Sequence, residues 1–477
     1  MGSYHQHYID GRWTDSDGGS RHEVVNPATE EMVSTVTLGT AADVDKAVTA
    51  ARRAFESFSQ TSREERLALL GRIVEEYKKR IPDIAKAISE EMGAPISLSL
   101  SLQSGSGLGH LMSTLEALKS FEFEEPSGQS KVVYEGVGVV ALITPWNWPM
   151  NQIAAKVAPA IAAGNTVILK PSEQTPGSAA IFAEVMDAAG TPPGVFNLVQ
   201  GDGPGVGTAL AQHPDIDMIS FTGSTRAGIL VAKNAADTVK RVHQELGGKS
   251  PNIVLPGTPL DAALAGGAGG VLMNSGQSCI APTRILVHRS QYAEAVAKLS
   301  EIFGGQAVDD PAREGAHIGP VVNKAQYDKI QGLIQKGVDE GARVATGGTG
   351  RPEGRDKGYY VRPTVFADVS NDMTIAREEI FGPVLVVIPY DTLDEAVAIA
   401  NDTPYGLAAY IAGDPEVAKT IVRKIRAGSV FVNAGGLDFN APFGGYKQSG
   451  NGREFGKFGL EEFLETKSVI GNVPADA

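Results

Sequence analysis

The sequence contains a single cysteine, Cys279, which lies in the segment NSGQSC at residues 274–279. One thiol cannot form an internal disulfide or a cysteine-based metal cluster, so it is either a buried apolar residue or a nucleophile. The small, polar neighbours favour a nucleophile, because they let a substrate approach and let backbone N–H groups point at the sulfur. On its own this segment leaves both roles open.

Two other side chains have the chemistry that a nucleophilic cysteine needs. Glu245 stands beside two glycines in QELGGKSP, residues 244–251, where a carboxylate can act as general base on water. The alternative is a solvated turn residue. Asn147 carries the only side-chain amide in TPWNWP, residues 144–149, a turn held by two prolines and two tryptophans. A fixed amide suits an oxyanion, although an asparagine can also close its own turn.

Other segments at predicted strand ends suit a nucleotide. Lys170 and Glu173, in KPSE, can bond ribose hydroxyls or phosphate, with an exposed charged turn as the alternative. GDGPGVG, residues 201–207, is glycine-rich but does not match G-x-G-x-x-G and is a weak dinucleotide motif. FTGSTR, residues 221–226, runs from a strand into a helix and predicts a phosphate site at the helix N-terminus, or else a plain N-cap.

Two segments nearer the C-terminus are compatible either with ligand contacts or with a purely structural role. In EEIFGPV, residues 378–384, Glu379 and Phe381 suit contacts to a sugar and to a ring face. PFGGYKQSG, residues 442–450, is a glycine-rich loop. An ordinary turn is the alternative interpretation of both segments.

The elements that must position these segments alternate between strands and helices. The alternation comprises strands 137–144, 166–170, 196–200 and 218–222 and helices 152–163, 178–189 and 226–236. This pattern is typical of a parallel sheet with helices on its faces. Helical periodicity also predicts helices over 41–58 and 62–92, the second with a capping motif at its start.

A second α/β stretch begins near Pro251. It comprises strands 284–288, 384–390 and 429–432 and helices 291–303, 324–340, 393–401 and 415–425. The glycine-rich residues 265–270 are predicted to open a helix that packs closely on its neighbours. Residues 121–134 and 460–470 belong to no obvious core, and we expect them to be arms that pack on another subunit.

Charge and composition narrow the class of protein. The 477 residues carry 42 Lys and Arg against 56 Asp and Glu, a net charge of −14. Such a chain repels phosphate backbones and anionic lipid head groups, which argues against nucleic acid and membranes as partners. No signal peptide or transmembrane run is recognisable, and a single cysteine suits a reducing compartment. We therefore expect a cytoplasmic globular protein.

The motifs occur together and in one order, and the chain thereby resembles the NAD(P)-dependent aldehyde dehydrogenase superfamily along essentially its whole length. The resemblance implies an α/β fold in which residues 1–117 and 137–247 form a Rossmann-type, parallel-sheet cofactor domain. Residues 248–447 would form an α/β catalytic domain, and 118–136 with 448–477 a small β oligomerisation arm. It also implies a homo-oligomer, either a dimer or a tetramer.

The same resemblance implies a chemistry and a catalytic set. An aldehyde is oxidised to the carboxylic acid, with reduction of NAD, through a thiohemiacetal and a thioester on Cys279. Asn147 and the Cys279 N–H would hold the oxyanion, and Glu245 would activate the water that hydrolyses the thioester. Lys156 completes the catalytic set, and no metal is implied.

The resemblance further implies a set of cofactor contacts. Lys170 and Glu173 would contact the adenosine ribose, Ser224 the pyrophosphate, and Glu379 with Phe381 the nicotinamide ribose. A carboxylate at Glu173 repels a 2′-phosphate and so favours NAD, with NADP still possible. The full set is Thr144, Pro145, Trp146, Lys170, Ser172, Glu173, Gly203, Gly207, Phe221, Gly223, Ser224, Leu246, Glu379 and Phe381.

The substrate tunnel is where this chain departs from the family pattern. Gln152 and Ala155 stand where several members carry larger apolar side chains, and Gln244 precedes the base where an apolar residue is common. We expect a wider, slightly more polar tunnel that admits bulky or aromatic aldehydes. No arginine stands out to indicate an acidic semialdehyde. The predicted tunnel residues are Trp148, Gln152, Ala155, Ser278, Ile280, Leu437 and Phe443.

Three other functions fit the sequence less well. A CoA-acylating dehydrogenase generally lacks the glutamate base, so Glu245 argues against it. A binding protein that kept the fold and lost the chemistry would not need Asn147, Glu245 and Cys279 together. A cysteine hydrolase would leave the cofactor segments unexplained, and none of the eight histidines lies in a motif beside Cys279.

Overall fold

The computed structural model describes residues 2–433 and 435–471. Its strands are β1 Gly2–Tyr4, β2 Gln6–Ile9, β3 Arg12–Asp15, β4 Ser20–Asn26, β5 Glu31–Leu38, β6 Glu124–Ser127, β7 Ser130–Gly136, β8 Val139–Ile143, β9 Thr166–Lys170, β10 Phe196–Leu198, β11 Met218–Thr222, β12 Arg241–Glu245, β13 Pro251–Val254, β14 Arg284–His288, β15 Arg343–Thr346, β16 Thr364–Ala367, β17 Val384–Tyr390, β18 Ala408–Ala412, β19 Ser429–Val432, β20 Gly450–Asn451 and β21 Leu464–Ile470.

The α-helices are α1 Ala41–Phe58, α2 Arg63–Met92, α3 Ile96–Leu98, α4 Ser104–Lys119, α5 Pro149–Ala162, α6 Pro176–Ala188, α7 Thr208–Gln212, α8 Thr225–Ala235, α9 Leu260–Leu272, α10 Tyr292–Gly304, α11 Lys324–Asp339, α12 Thr374–Arg377, α13 Leu393–Asn401, α14 Pro415–Val422 and α15 Gly456–Glu462. A π-helical turn, Ser99–Gln103, joins α3 to α4. No helix in the described part of the chain is long and apolar enough to cross a membrane.

Strands β8 to β12 are the parallel centre of an eight-stranded sheet with the order β20-β12-β11-β8-β9-β10-β2-β3. Strand β8 is buried on both faces: Val140 and Leu142 pack on one side, and Val139 and Ala141 on the other, as the two-residue period of a strand requires. From β8 the chain continues to its neighbour β9 and then to β10. It next crosses over to β11, which pairs with the opposite side of β8. Such a reversal leaves a crevice beyond the carboxyl ends of the strands, where ligands bind in open parallel sheets.

A second sheet has seven strands in the order β15-β16-β17-β14-β13-β18-β19. All its pairs are parallel except β15 with β16. Helix α9 packs closely on β13, since a Cβ atom at Gly267 would lie 2.4 Å from Nδ2 of Asn252. The prediction that residues 265–270 open this helix is wrong, because the buried Leu260 and Leu264 extend it by more than a turn.

The two predicted arm segments pair in a third sheet, of order β21-β7-β6, with Leu464 opposite Gly136 and Ile470 opposite Ser130. The arms are shorter than predicted. Residues 118 and 119 end α4, and residues 460–462 are helical, because Leu460 is buried in the helical core. Residues 472–477 of the predicted arm lie outside the described residues.

Strand β20 is a further difference from the predicted organisation. It lies within 448–477, yet it pairs with the cofactor sheet, with Gly450 opposite Glu245 and Asn451 opposite Gln244. The C-terminal segment therefore passes directly beside the predicted general base. The N-terminal strands were not predicted: β2 and β3 extend the cofactor sheet, and β1, β5 and β4 form a separate three-stranded sheet.

Candidate active site

A cleft of about 250 Å³ opens where the order of the cofactor sheet reverses. Its walls come from the loops after β8, β11 and β12, from the loop before β14, from α11 and from the segment before β17. The lining residues are Pro145, Trp146, Asn147, Gln152, Thr222, Gly223, Ser224, Glu245, Leu246, Gly247, Cys279, Gln326, Lys329, Glu379 and Phe381. The three side chains predicted to carry the chemistry, Asn147, Glu245 and Cys279, therefore line the same cleft.

Cys279 is held in the cleft by a tight left-handed turn. Asn274, Ser275 and Gly276 have φ values of 54°, 56° and 76° in succession. At Gly276 a Cβ atom would lie 2.0 Å from the carbonyl oxygen of Gly382, so no side chain fits there. The turn is fixed by the Ser275 hydroxyl, which donates to the Gly319 carbonyl at 2.8 Å. Cys279 emerges from this turn only partly exposed.

The loop that carries Asn147 is hydrogen-bonded to the loop that carries Cys279. The Asn147 amide donates to the Gln277 carbonyl at 3.1 Å. Nε1 of Trp148 donates to the Ser278 hydroxyl at 2.7 Å. An amide has two N–H groups, so Asn147 retains one for an oxyanion formed beside the sulfur.

Glu245 is the last residue of β12, and its carboxyl group is buried rather than solvated. Neither of its oxygens has a hydrogen-bond partner within the described residues. Burial raises the pKa of Glu245 well above the ordinary range; the Glu454 and Glu379 carboxylates add to this, and the Lys156 ammonium opposes it. Burial, with Glu245 nearby, likewise raises the pKa of the Cys279 thiol. Burial therefore favours the neutral form of both groups relative to the same groups in water.

Lys156 lies beneath the cleft and not on its wall. It is fully buried in α5, forms an ion pair with Glu454, and donates to the Ser220 hydroxyl at 3.2 Å. The Ser220 hydroxyl also bonds Nδ1 of His243 at 3.0 Å. Burial, followed by the charge of Lys156, lowers the pKa of His243 well below the ordinary range, so this imidazole is neutral. Because the charges of Lys156 and Glu454 oppose each other, their ion pair leaves little net charge beneath Glu245.

The cleft also contains an aromatic pair, a fixed carboxyl group and the start of a helix. The Trp146 and Phe381 rings meet edge to face, with centroids 5.5 Å apart. Glu379 is held by the Gly248 N–H, which donates to its Oε1 at 2.9 Å, and a Cβ at Gly247 would lie 2.7 Å from its Oε2. Ser224 caps α8, its hydroxyl accepting from the Ala227 N–H at 3.3 Å. The dipole of that helix favours an anion at its N-terminus.

The remaining predicted cofactor residues lie elsewhere. Thr144 and Phe221 are buried at the ends of β8 and β11 and do not line this cleft. Lys170, Ser172 and Glu173 lie at and just beyond the end of β9, and Gly203 and Gly207 lie in the turn that follows β10. Nζ of Lys170 donates to the carbonyls of Pro171 and Gly201, at 2.7 and 2.6 Å, and lies 3.8 Å from Glu173.

Comparison with known proteins identifies the family to which the chain belongs. The sequence model of the aldehyde dehydrogenase family matches residues 13–469. A 3-succinoylsemialdehyde-pyridine dehydrogenase from a Pseudomonas species is 53% identical over 474 residues, which is 99% of each chain. The chain belongs to the aldehyde dehydrogenase family. The predicted enzyme class, an NAD(P)-dependent aldehyde dehydrogenase, is confirmed.

Solved structures of other aldehyde dehydrogenases share the fold. The Bartonella henselae enzyme superposes with a TM-score of 0.97 at 50% identity, covering 98% of this chain and 99% of that one. Aldehyde dehydrogenase C of Pseudomonas syringae, as a cysteine-to-alanine mutant with NAD⁺ and octanal, gives a TM-score of 0.97 at 53% identity, covering 99% of this chain and 98% of that one. The predicted α/β fold and the NAD prediction are confirmed at the level of the family.

The seven predicted tunnel residues of this aldehyde dehydrogenase are divided between two places. Gln152 lines the cleft, Trp148 bonds Ser278, and Ala155 and Phe443 pack in a small apolar cluster with Cys279 and Ile280. Leu437 lies instead on a separate cavity of about 930 Å³ beside α9, which Ile280 also lines. Leu437 therefore does not join the cluster around the sulfur.

Phe439, not Leu437, is the residue of that loop that reaches the cluster. Its ring meets His110 edge to face at 4.5 Å, and a Cβ at Gly109 would lie 2.5 Å from its Cε2 atom. His110 in turn lies 4.4 Å from Phe455, which stacks on Phe443 at 4.6 Å. The sequence carries no motif for Phe439 or Glu454, because each reaches the site only through contacts distant in the chain.

We predict that the charge pair beneath Glu245 sets the acidic limb of the pH–kcat profile. Glu454→Gln removes a negative charge and frees Lys156, so the pKa of Glu245 falls and the limb moves to lower pH. Lys156→Met leaves Glu454 unpaired and moves the limb to higher pH. The measurement is kcat against pH at saturating NAD and aldehyde.

The matched control is Glu91→Gln, which alters another fully buried carboxyl group, bonded to the Gly177 N–H and outside the cleft. It should leave the limb in place. Movement of both site variants in the same direction would contradict this electrostatic interpretation.

Proposed function

We propose that this aldehyde dehydrogenase oxidises bulky or aromatic aldehydes to carboxylic acids with NAD, through a thiohemiacetal and then a thioester on Cys279. The observation that carries the proposal is that Cys279, Asn147 and Glu245 line one cleft together with residues suited to hold a nicotinamide nucleotide. A nucleophile, an oxyanion donor and a base in one space are the parts of covalent acyl chemistry.

The chemistry proceeds in two halves. The Cys279 sulfur adds to the aldehyde carbon as the thiolate, after the thiol proton has left to the solvent that the open cleft admits. The free N–H of Asn147 and the backbone N–H of Cys279 stabilise the oxyanion. NAD, when bound, accepts a hydride from the adduct carbon. Glu245, then ionised, takes a proton from water, which attacks the thioester and releases the acid.

Several features of the cleft fit NAD. Gly223 and Gly247 line the cleft, where a Cβ atom would lie 2.6 Å from Phe221 and 2.7 Å from Glu379, and Ser224 marks the positive end of α8. Glu379 offers a half-buried carboxylate to ribose hydroxyls, and desolvation raises its pKa until such donors stabilise its charge. At the end of β9, the Glu173 carboxylate would repel a 2′-phosphate, which favours NAD over NADP.

Two observations support a bulky substrate. Ala155, Phe443 and Phe455 form an apolar cluster against which Cys279, Ile280 and Phe439 pack, so the sulfur has aromatic neighbours that suit a planar or long apolar group. Two relatives are linked by name or by a bound ligand to aldehydes larger than acetaldehyde: the Pseudomonas enzyme is named for a pyridine-bearing semialdehyde, and the Pseudomonas syringae structure holds octanal.

We further propose a cytoplasmic homo-oligomer in which the eight-stranded sheet belongs to the cofactor domain, the seven-stranded sheet to the catalytic domain, and the sheet of β6, β7 and β21 to the oligomerisation arm. The arm sheet supports self-association, since a short sheet with two open edges is a template for pairing with another chain. Its strand β21 carries Ile470, which is 83% exposed. Covering such a residue is favourable for association.

The two halves of the reaction can be separated by Glu245→Gln. We expect an initial burst of NADH close to one equivalent per subunit, followed by turnover at least about 100-fold slower than wild type, since general base catalysis contributes about that much or more. Cys279→Ala should give neither burst nor turnover. The measurement is stopped-flow absorbance at 340 nm. A Glu245→Gln variant with wild-type steady-state turnover would contradict the assigned base.

The substrate preference can be tested by refilling the space at Ala155. Ala155→Trp should lower kcat/KM for a naphthaldehyde by about tenfold or more and change kcat/KM for propanal much less, because steric exclusion acts on the larger group. Both substrates are measured on one enzyme preparation, so propanal is the internal control. A wild-type kcat/KM that falls steadily from acetaldehyde to benzaldehyde would contradict the preference itself.

A further inference from the structure

Gln103 is a buried amide that touches both loops of the active site without lining the cleft. It lies at the end of the π-helical turn that joins α3 to α4 and is fully buried. Its Nε2 donates to the backbone carbonyl of Asn147 at 3.0 Å and to Oδ1 of Asn274 at 3.2 Å. One side chain thus bonds the residue that would hold the oxyanion and the turn that carries the nucleophile.

Gln103 belongs to a closed network of four amide side chains. Asn274 also donates to the Asn147 carbonyl, at 2.9 Å, and to the Gln277 carbonyl, at 3.2 Å. Gln277 donates back to the Asn274 carbonyl at 3.0 Å, and Asn147 donates to the Gln277 carbonyl. Because each bond joins the two loops or braces one of them, a shift of either loop breaks several bonds at once.

The nucleophile turn needs such support. Asn274 and Ser275 both have positive φ, a conformation that non-glycine residues adopt rarely and that persists only when surrounding contacts determine it. Gln103 is the contact to Asn274 that comes from outside both loops. The π-helical turn is itself anchored, since the Ser104 hydroxyl donates to the Ser99 carbonyl at 2.8 Å and the Tyr77 hydroxyl donates to the Ser104 carbonyl at 2.8 Å.

We propose that Gln103 is a positioning residue that fixes the distance between the Asn147 amide and the Cys279 sulfur by bridging the loops that carry them. This role rests on the proposed function of Asn147 and Cys279. It adds to that function the requirement that oxyanion stabilisation depends on an amide outside the cleft. A misplaced oxyanion donor loses its effect steeply, because the donor must lie within hydrogen-bond distance of the charge as it develops.

The test compares two reactions of the same sulfur in the Gln103→Met variant, which keeps the length of the side chain and removes its donors. Acylation of Cys279 by p-nitrophenyl acetate forms an oxyanion, whereas alkylation by iodoacetamide does not. We expect the acylation rate and kcat for aldehydes to fall about tenfold or more, within the range lost with a whole oxyanion donor. The alkylation rate and KM for NAD should change less than about twofold.

Gln200→Met is the matched control. Gln200 is also buried, donates through Nε2 to a single backbone carbonyl, that of Pro176 at 3.2 Å, and, like Gln103, has no partner for its Oε1 within the described residues. It should leave the ratio of acylation to alkylation unchanged. If Gln103→Met folds poorly, Gln103→Glu provides a second variant that keeps the shape and loses the N–H₂ donors. It should lower the same ratio.

An unchanged ratio in both Gln103 variants would overturn the proposal, and so would an equal fall in Gln200→Met. The outcome is separable from failure of the proposed function, because neither sulfur reaction needs NAD or an aldehyde. An enzyme that acylates and alkylates normally but oxidises no aldehyde would reject the proposed function and leave this test intact.

Discussion

The carboxyl group of Glu245 is buried without a hydrogen-bond partner among the described residues, and in the proposed mechanism it has to ionise there. An isolated carboxylate of this kind is too costly to form, so its charge must be balanced by fixed groups. The short strand β20 pairs with the end of β12 and brings Glu454 beneath the base, where Lys156 neutralises it. The Glu454 carboxylate raises the pKa of Glu245 and the Lys156 ammonium lowers it, so the two charges of this pair act on Glu245 in opposite directions.

The second requirement is that groups from two sheets meet within hydrogen-bond distance. The cofactor sheet supplies Asn147 and Glu245 at its carboxyl edge, and the second sheet supplies Cys279 from the loop before β14. Only five residues, 246–250, separate Glu245 from the start of the second sheet at Pro251, so the covalent chain itself keeps the ends of β12 and β13 close together. Side-chain amides complete the alignment. The strands bring Asn147, Glu245 and Cys279 near one another, and the hydrogen bonds of the amide side chains fix the positions of the loops that carry Asn147 and Cys279.

The sequence predicts the parts of the molecule that are determined locally. Strands β9, β11, β14, β17 and β19 have the predicted bounds, because each is a short apolar run closed by turn residues. The capping box of α2 is formed, with the Ser62 N–H and the Glu65 carboxylate bonded at 2.7 Å. The N-terminal strands are short and rich in polar residues, and the place of β2 in the large sheet depends on its pairing with the distant β10, so they were not predicted from the sequence. The same holds within the site: the motifs predict Cys279, Asn147 and Glu245, whereas Glu454, Phe439 and Gln103 depend on contacts distant in sequence.

The most direct test of the covalent account is the intact mass of the Glu245→Gln variant after mixing with NAD and an aromatic aldehyde. The account predicts a mass increase equal to one acyl group per subunit, located on the peptide that contains Cys279 and absent when NAD is omitted. An unmodified protein that has nevertheless produced NADH would contradict it, because the aldehyde would then have been oxidised without passing through the cysteine.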